Sequence, residues 1–237
     1  MQPLLLFGGL ICEPMYGYNW VMTLAQLELI GNDKPLTFLK KDSLSLEEIS
    51  AAVSEGARLG IPTAAHCIGG QGLKDCIDGG VDVIEHMYMA SEQDVERLAA
   101  SRCVVDLTSG IFLDPSREEF LSPANALKVR LNRSRVRENV ARIIKARLPF
   151  VLGTDAYHGF LYREVGYAVE LGADPVTAIQ GVTSRAARVC RLEDRIGKLE
   201  NGMEADIIAV EGNPLEDVSR LSQVGLVMKG GVVYRQP

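Results

Sequence analysis

Two histidines and an aspartate stand where apolar runs stop. Ile61-Pro62-Thr63-Ala64-Ala65-His66 ends in an imidazole, Val81-Asp82-Val83-Ile84-Glu85-His86 ends in a second, and Phe150-Val151-Leu152-Gly153-Thr154-Asp155 ends in a carboxylate. Short apolar runs bounded in this way read as buried strands, and the C-terminal ends of parallel strands are where barrel enzymes keep their chemistry. Neutral imidazole nitrogens and a carboxylate suit a divalent metal, zinc among them. The competing reading is two satisfied histidines at a sheet end and an aspartate that caps the turn after its strand. Tyr157 and His158 follow Asp155 and either touch a substrate or lie on a surface loop. Side chains alternate along a strand, so Cys67 and Glu85 are expected to face away from His66 and His86, outside the donor set.

The elements that must position these groups alternate. Ser45 and Glu48 predict a capping box at the head of a helix that Gly60 ends, with Leu46, Ile49, Val53 and Ala57 as its apolar positions. Strand 61–66, a helix near 71–79, strand 81–86, a helix from Ser91 to Ala100 and strand 103–107 then repeat one βα unit roughly every 21 residues, which means parallel strands with helical crossovers. Residues 108–122 read as a long loop and a lid candidate, and 124–146, rich in Arg, as a solvent-facing helix. Pro149 resets the chain into strand 150–154, and helices at 162–171 and 175–191 follow, the second capped by Asp174.

Near the N-terminus, 3–8 and 36–39 read as strands and 19–30 as a helix. Beyond Gly197, the runs 205–210 and 224–234 read as antiparallel strands of a small appended β segment. The expected domain organisation is therefore 1–194 and 195–237.

Composition narrows the class. At 237 residues, with 47% hydrophobic and 24% charged residues, the chain has ample material for one large core. A net charge of −6 without a basic stripe argues against a nucleic-acid partner. The five cysteines are scattered and odd in number, which fits neither a disulfide framework nor a zinc ribbon and points to a reducing cytoplasm. No run approaches the roughly 18 apolar residues of a membrane span.

Several segments together resemble the metal-dependent amidohydrolases, especially the branch of imidazolonepropionase and the Xaa-Pro and Xaa-Arg dipeptidases. Ser45-Leu46-Glu47-Glu48-Ile49, Ala64-Ala65-His66, Ile84-Glu85-His86 and Gly153-Thr154-Asp155 are similar, in order and spacing, to the segments leading to that family's fifth, sixth and eighth barrel strands. Arg195-Ile196-Gly197-Lys198-Leu199-Glu200-Asn201-Gly202-Met203-Glu204-Ala205-Asp206-Ile207-Ile208, followed by Gly212-Asn213-Pro214, resembles its closing motif. The likeness covers nearly everything from Thr37 onward. It implies an α/β fold: an incomplete (β/α)8 barrel of about six βα units plus the C-terminal β segment. None of the three histidines forms the family's opening His-x-His pair, and if 36–40 is its fourth barrel strand and 3–8 its third, the first two strands are expected to be absent.

The resemblance also implies roles. Thr37-Phe38-Leu39-Lys40 resembles the family's Asp-Phe-Ile-Lys strand, whose lysine is carboxylated, so Lys40 becomes a metal ligand if it carries the carbamate; Lys41 competes for that place, and a solvated lysine pair is the plainer alternative. His66, His86 and Asp155 complete the metal set, with Asp155 also the proton acceptor in hydrolysis of an amide, a dipeptide or a cyclic amide. With no His-x-His pair, one divalent ion, zinc or similar, is expected rather than two. The rival is a truncated, catalytically silent homologue with a vestigial or structural site. Missing barrel units leave strand edges uncovered, so a homo-oligomer is expected.

Overall fold

The computed structural model describes Val21–Thr23, 44–155 and 158–236, with side chains for 44–155 and 159–236. The expected strands at 3–8 and 36–39, the candidate ligand Lys40, its competitor Lys41, and Tyr157 lie outside the described residues. The described residues divide into two compact units, one of Val21–Thr23 and 44–149, the other of 150–155 and 158–236.

Within the first unit the βα alternation is present. The strands are β1 (Val21–Thr23), β2 (Thr63–Cys67), β3 (Val83–His86) and β4 (Val104–Leu107). They pair in sequence order and all in parallel, with Ala64 opposite Val83 and Val83 opposite Val104. The intervening helices are α1 (Leu46–Leu59), α2 (Gly70–Gly79) and α3 (Glu92–Ala99). The capping box of α1 is formed, with Ser45 N–H donating to Glu48 Oε2 at 2.8 Å, and Gly60 ends the helix at φ 70°. Its buried face differs from expectation: Ile49 and Gly56 are buried, whereas Ala57 is exposed. At Gly56 an added Cβ would lie 2.9 Å from Thr63 Cγ2, so helix and strand approach more closely there than any other residue permits.

Two expectations are corrected in this unit. Residues 21–23, expected within a helix, form strand β1 beside β2; two of the three are β-branched, and a sheet edge overrides weak helical periodicity. Residues 108–122 are not an open lid. They form α4 (Gly110–Leu113) and a 3-10 turn (Pro115–Phe120), with Phe112, Leu113, Asp114 and Arg117 all buried. Arg133 and Arg130 of the long helix α5 (Pro123–Lys145) hold this segment, both reaching Glu118 while Arg133 Nε donates to the Phe112 carbonyl. Helix α5 is itself only partly solvent-facing, because Val136, Val140 and Ile143 are in the core.

The second unit begins with β5 (Phe150–Leu152) and α6 (Leu161–Glu170). Asp174 caps the next helix as expected, but the single helix expected over 175–191 is two, α7 (Pro175–Gly181) and α8 (Ser184–Val189). The break has a local cause: Thr183 Oγ1 donates back to the Ile179 carbonyl at 2.8 Å, a bond that competes with the helix ladder. Gly197, at φ 90°, packs against the same break, where an added Cβ would meet Ala187 Cβ at 2.8 Å and the Thr183 carbonyl at 3.0 Å. Strands β6 (Ile207–Val210), β7 (Val224–Lys229) and β8 (Val232–Arg235) form an antiparallel sheet in that order. This unit holds a half-open pocket of about 390 Å³, its wall mainly apolar, with Ile179, Val182, Ile208 and Met228, and carrying Lys198 and Asp206 as well. Among the described residues no helix is long and apolar enough to cross a membrane.

Candidate functional site

The site grows from the register of β2, β3 and β4. Ala65, Ile84 and Val105 lie in one row across the sheet, each fully buried. His66, Glu85 and Asp106 form the next row. Residues in register on parallel strands share a face, so these three share the face opposite the Ala65 row. Cys67 points away from His66 as expected, buried beside Cys76 of α2. Glu85 does not: register puts it on the His66 face.

His86 reaches the same face by a different route. Register pairs it with Cys67, whose side chain faces α2. The backbone leaves the pleat at this point, with φ 80° at His86 and 55° at Met87, and the imidazole meets His66. Such a conformation costs about 1–3 kcal/mol per residue and persists only where the surroundings over-determine it. They do so here. Met87 N–H donates to the Cys67 carbonyl and Met89 N–H to that of Ile68. From α5, Asn139 Nδ2 donates to the Tyr88 carbonyl at 2.8 Å and Arg142 Nη1 to the Ala90 carbonyl at 3.1 Å.

His86 Nε2 lies 2.7 Å from His66 Nδ1, the two rings edge to face with centroids 4.3 Å apart. The other nitrogen of His86, Nδ1, lies 2.6 Å from Thr108 Oγ1. The Tyr88 hydroxyl is 2.6 Å from the same Oγ1 and donates to the Thr108 carbonyl at 2.9 Å. Tyr88 also stacks on His86, with centroids 5.1 Å apart, and Phe112 closes against Tyr88. Burial, and then the neighbouring His66, push the His86 pKa down to about 3, so at neutral pH this ring is uncharged.

Among the described residues no group of three or more His, Cys, Asp or Glu side chains gathers as a metal cluster. The pair His66–His86 is nevertheless the right kind of donor set. Two nitrogens on one tetrahedral zinc stand roughly 3.3 Å apart, against the 2.7 Å between these atoms; a separation of about 0.6 Å would admit an ion. Asp155 ends the stretch after β5 at φ 60° with an exposed side chain, a backbone conformation that aspartate tolerates better than most residues. His158 opens a 3-10 turn, His158–Phe160.

Sequence reasoning missed Thr108, Tyr88 and Asp106. Asp106 had left a signal, a lone carboxylate inside an apolar strand, and it is 2% exposed. Tyr88 and Thr108 left none, because their place depends on the turn after β3.

Residues 42–233 match the amidohydrolase family. The chain belongs to that family. Ochratoxinase of Aspergillus niger is 33% identical over 206 residues, covering 81% of this chain and 42% of that enzyme. Imidazolonepropionase of Desulfotalea psychrophila is 23% identical over 186 residues, 74% of this chain and 40% of the relative. Among solved structures, a Xaa-Pro dipeptidase with bound methionine in its active site superposes with a TM-score of 0.75 at 30% identity, over 82% of this chain and 50% of that one. Aspergillus niger ochratoxinase gives 0.77 at 28%, over 92% of this chain and 51% of that one. This amidohydrolase chain thus spans about half the length, or less, of the relatives it matches, and its α/β architecture is theirs.

Proposed function

We propose that this chain carries the metal-binding strands of a hydrolase for C–N bonds in small amides, dipeptides or cyclic amides. The observation that carries the reading is the facing pair His66 Nδ1 and His86 Nε2 at 2.7 Å, with His86 kept neutral by burial. A neutral imidazole offers its lone pair to a divalent ion without first losing a proton to solvent. His66 and His86 would hold the ion, with Lys40 as carbamate or Asp155 filling a further place. When bound, such an ion acidifies water and polarises a carbonyl. Asp155 accepts the proton of the attacking water and returns it to the leaving nitrogen, so that one amide and one water become one acid and one amine. Tyr157 and His158 are the substrate-touching residues of this reading. The names of the Xaa-Pro dipeptidase and of imidazolonepropionase support a small-molecule substrate. The same reading takes zinc as the ion and a homo-oligomer as the assembly; exposed Val232 and Tyr234 on β8 support the latter, and light scattering checks it.

A second reading, a silent homologue, is favoured by one observation: the two facing nitrogens already satisfy each other by a hydrogen bond. Hydrolysis separates the two. A panel of N-acyl amino acids and dipeptides, followed by amine release with added zinc, is expected to show slow turnover that Asp155→Asn lowers by about 10²–10⁴-fold, with zinc still bound. Equal rates in both proteins would remove Asp155 from the chemistry, and no turnover by zinc-loaded protein would favour the silent homologue.

A further inference from the structure

We infer that Thr108 and Tyr88 form a hydrogen-bond relay that locks His86 in its Nδ1–H tautomer and aims its Nε2 lone pair at His66. The direction of the relay follows from its far end. The Thr108 carbonyl only accepts, so the Tyr88 hydroxyl proton goes to it across 2.9 Å. With that proton committed, the 2.6 Å contact between the two hydroxyls requires Thr108 Oγ1 to be the donor. Thr108 Oγ1 then accepts at 2.6 Å from His86, and Nδ1 must carry the hydrogen. An uncharged imidazole has one N–H, so Nε2 is left as an acceptor. His66 Nδ1–H donates to it at 2.7 Å. With His86 neutral, this assignment gives each of the four contacts one donor and one acceptor.

The relay is rigid as well as directed. Thr108 is 2% exposed, His86 5% and Tyr88 7%, and the Tyr88 backbone is held by Asn139. Thr108 and Tyr88 are therefore positioning residues. They act through His86, and their use rests on the metal reading above: a ligating histidine gains affinity when its second nitrogen is held by an acceptor, and removing such a partner typically costs about 10–100-fold in metal affinity. An ion entering between the rings needs Nε2 of His86 as the relay leaves it. The proton on His66 Nδ1 is the one that such an ion would displace.

The test is heteronuclear NMR on metal-free protein labelled with ¹⁵N-histidine, at neutral pH. The chain has three histidines, so two-bond nitrogen–proton correlations give one pattern per ring. Wild type is expected to show a protonated Nδ1 and an acceptor-type Nε2 at His86. Thr108→Val, which keeps the shape and removes the acceptor, should shift His86 to the other tautomer or a mixture and weaken zinc binding about 10–100-fold by competition with a chelating dye. Thr108→Ser should restore both, and Tyr88→Phe, which frees the Thr108 hydroxyl to rotate, should give a mixture. A wild-type His86 protonated at Nε2 would overturn the inference. An unchanged tautomer in folded Thr108→Val and Tyr88→Phe would overturn it as well. Wild-type protein with the stated tautomer and no zinc affinity would leave the relay standing and retire the metal reading instead.

Discussion

Alanine at either His66 or His86 is expected to strip the chain of its ion. Protein prepared without chelator should carry about one equivalent of zinc or a similar divalent metal, because three protein ligands and a water suffice for a catalytic-type site. Each alanine variant should fall below about a tenth of that content, since losing a ligand from so small a set costs well over 1.4 kcal/mol, the equivalent of a tenfold change. His66 is the cleaner position. It is only partly buried, whereas truncating His86 also opens a gap beside Thr108 and Tyr88, so circular dichroism must accompany that variant. Two equivalents per chain would contradict the single-ion reading. Unchanged metal content in both variants would return the two rings to the role of core groups.

The second large effect is on stability in acid. The folded pKa of His86 is near 3, below the ordinary histidine value of about 6.5, so the unfolded chain binds a proton that the native chain refuses. Stability from this ring is fully present above pH 6.5 and is lost as pH falls from there toward 3, by up to about 1.36 kcal/mol per pH unit. Between pH 6.5 and 5, before most carboxylates titrate, the loss should reach about 2 kcal/mol. Urea titrations of metal-free protein at several pH values read it directly. In His86→Gln the slope across this window should nearly vanish, even though the variant is less stable throughout. A slope that survives in the variant would place the acid sensitivity elsewhere.

How much of this is legible in the sequence turns on which signals are local. Caps and alternation are local: Ser45 with Glu48, and Asp174, cap in the structure as residue types and spacing predict. The βα rhythm and the strand ends carrying His66 and His86 were readable for the same reason. Orientation was not. Alternation placed His66 and His86 together and Glu85 apart, yet register unites His66 with Glu85, and His86 joins them only through its positive φ. A backbone departure of that kind depends on hydrogen bonds from Asn139 and Arg142, far away in sequence. The stretch 108–122 was misread as a lid for a similar reason. Its length and its place after a strand suggest a lid, while Asp114, Arg117 and Glu118 make ion pairs there, the last with α5. In α7 and α8 the error was continuity, because one back-bonding threonine and the approach of Gly197 outweigh good helix formers on either side.

If His66 and His86 hold one ion together, both imidazoles must surround it. X-ray absorption at the zinc edge, on the 237-residue chain loaded with one equivalent of zinc, tests that directly. Joint binding predicts a first shell of nitrogen and oxygen at about 2.0–2.1 Å, with outer-shell multiple scattering from two imidazoles that falls to one in His66→Ala loaded with the same ion. A wild-type spectrum without imidazole scattering, or one that the His66 substitution leaves unchanged, would contradict it.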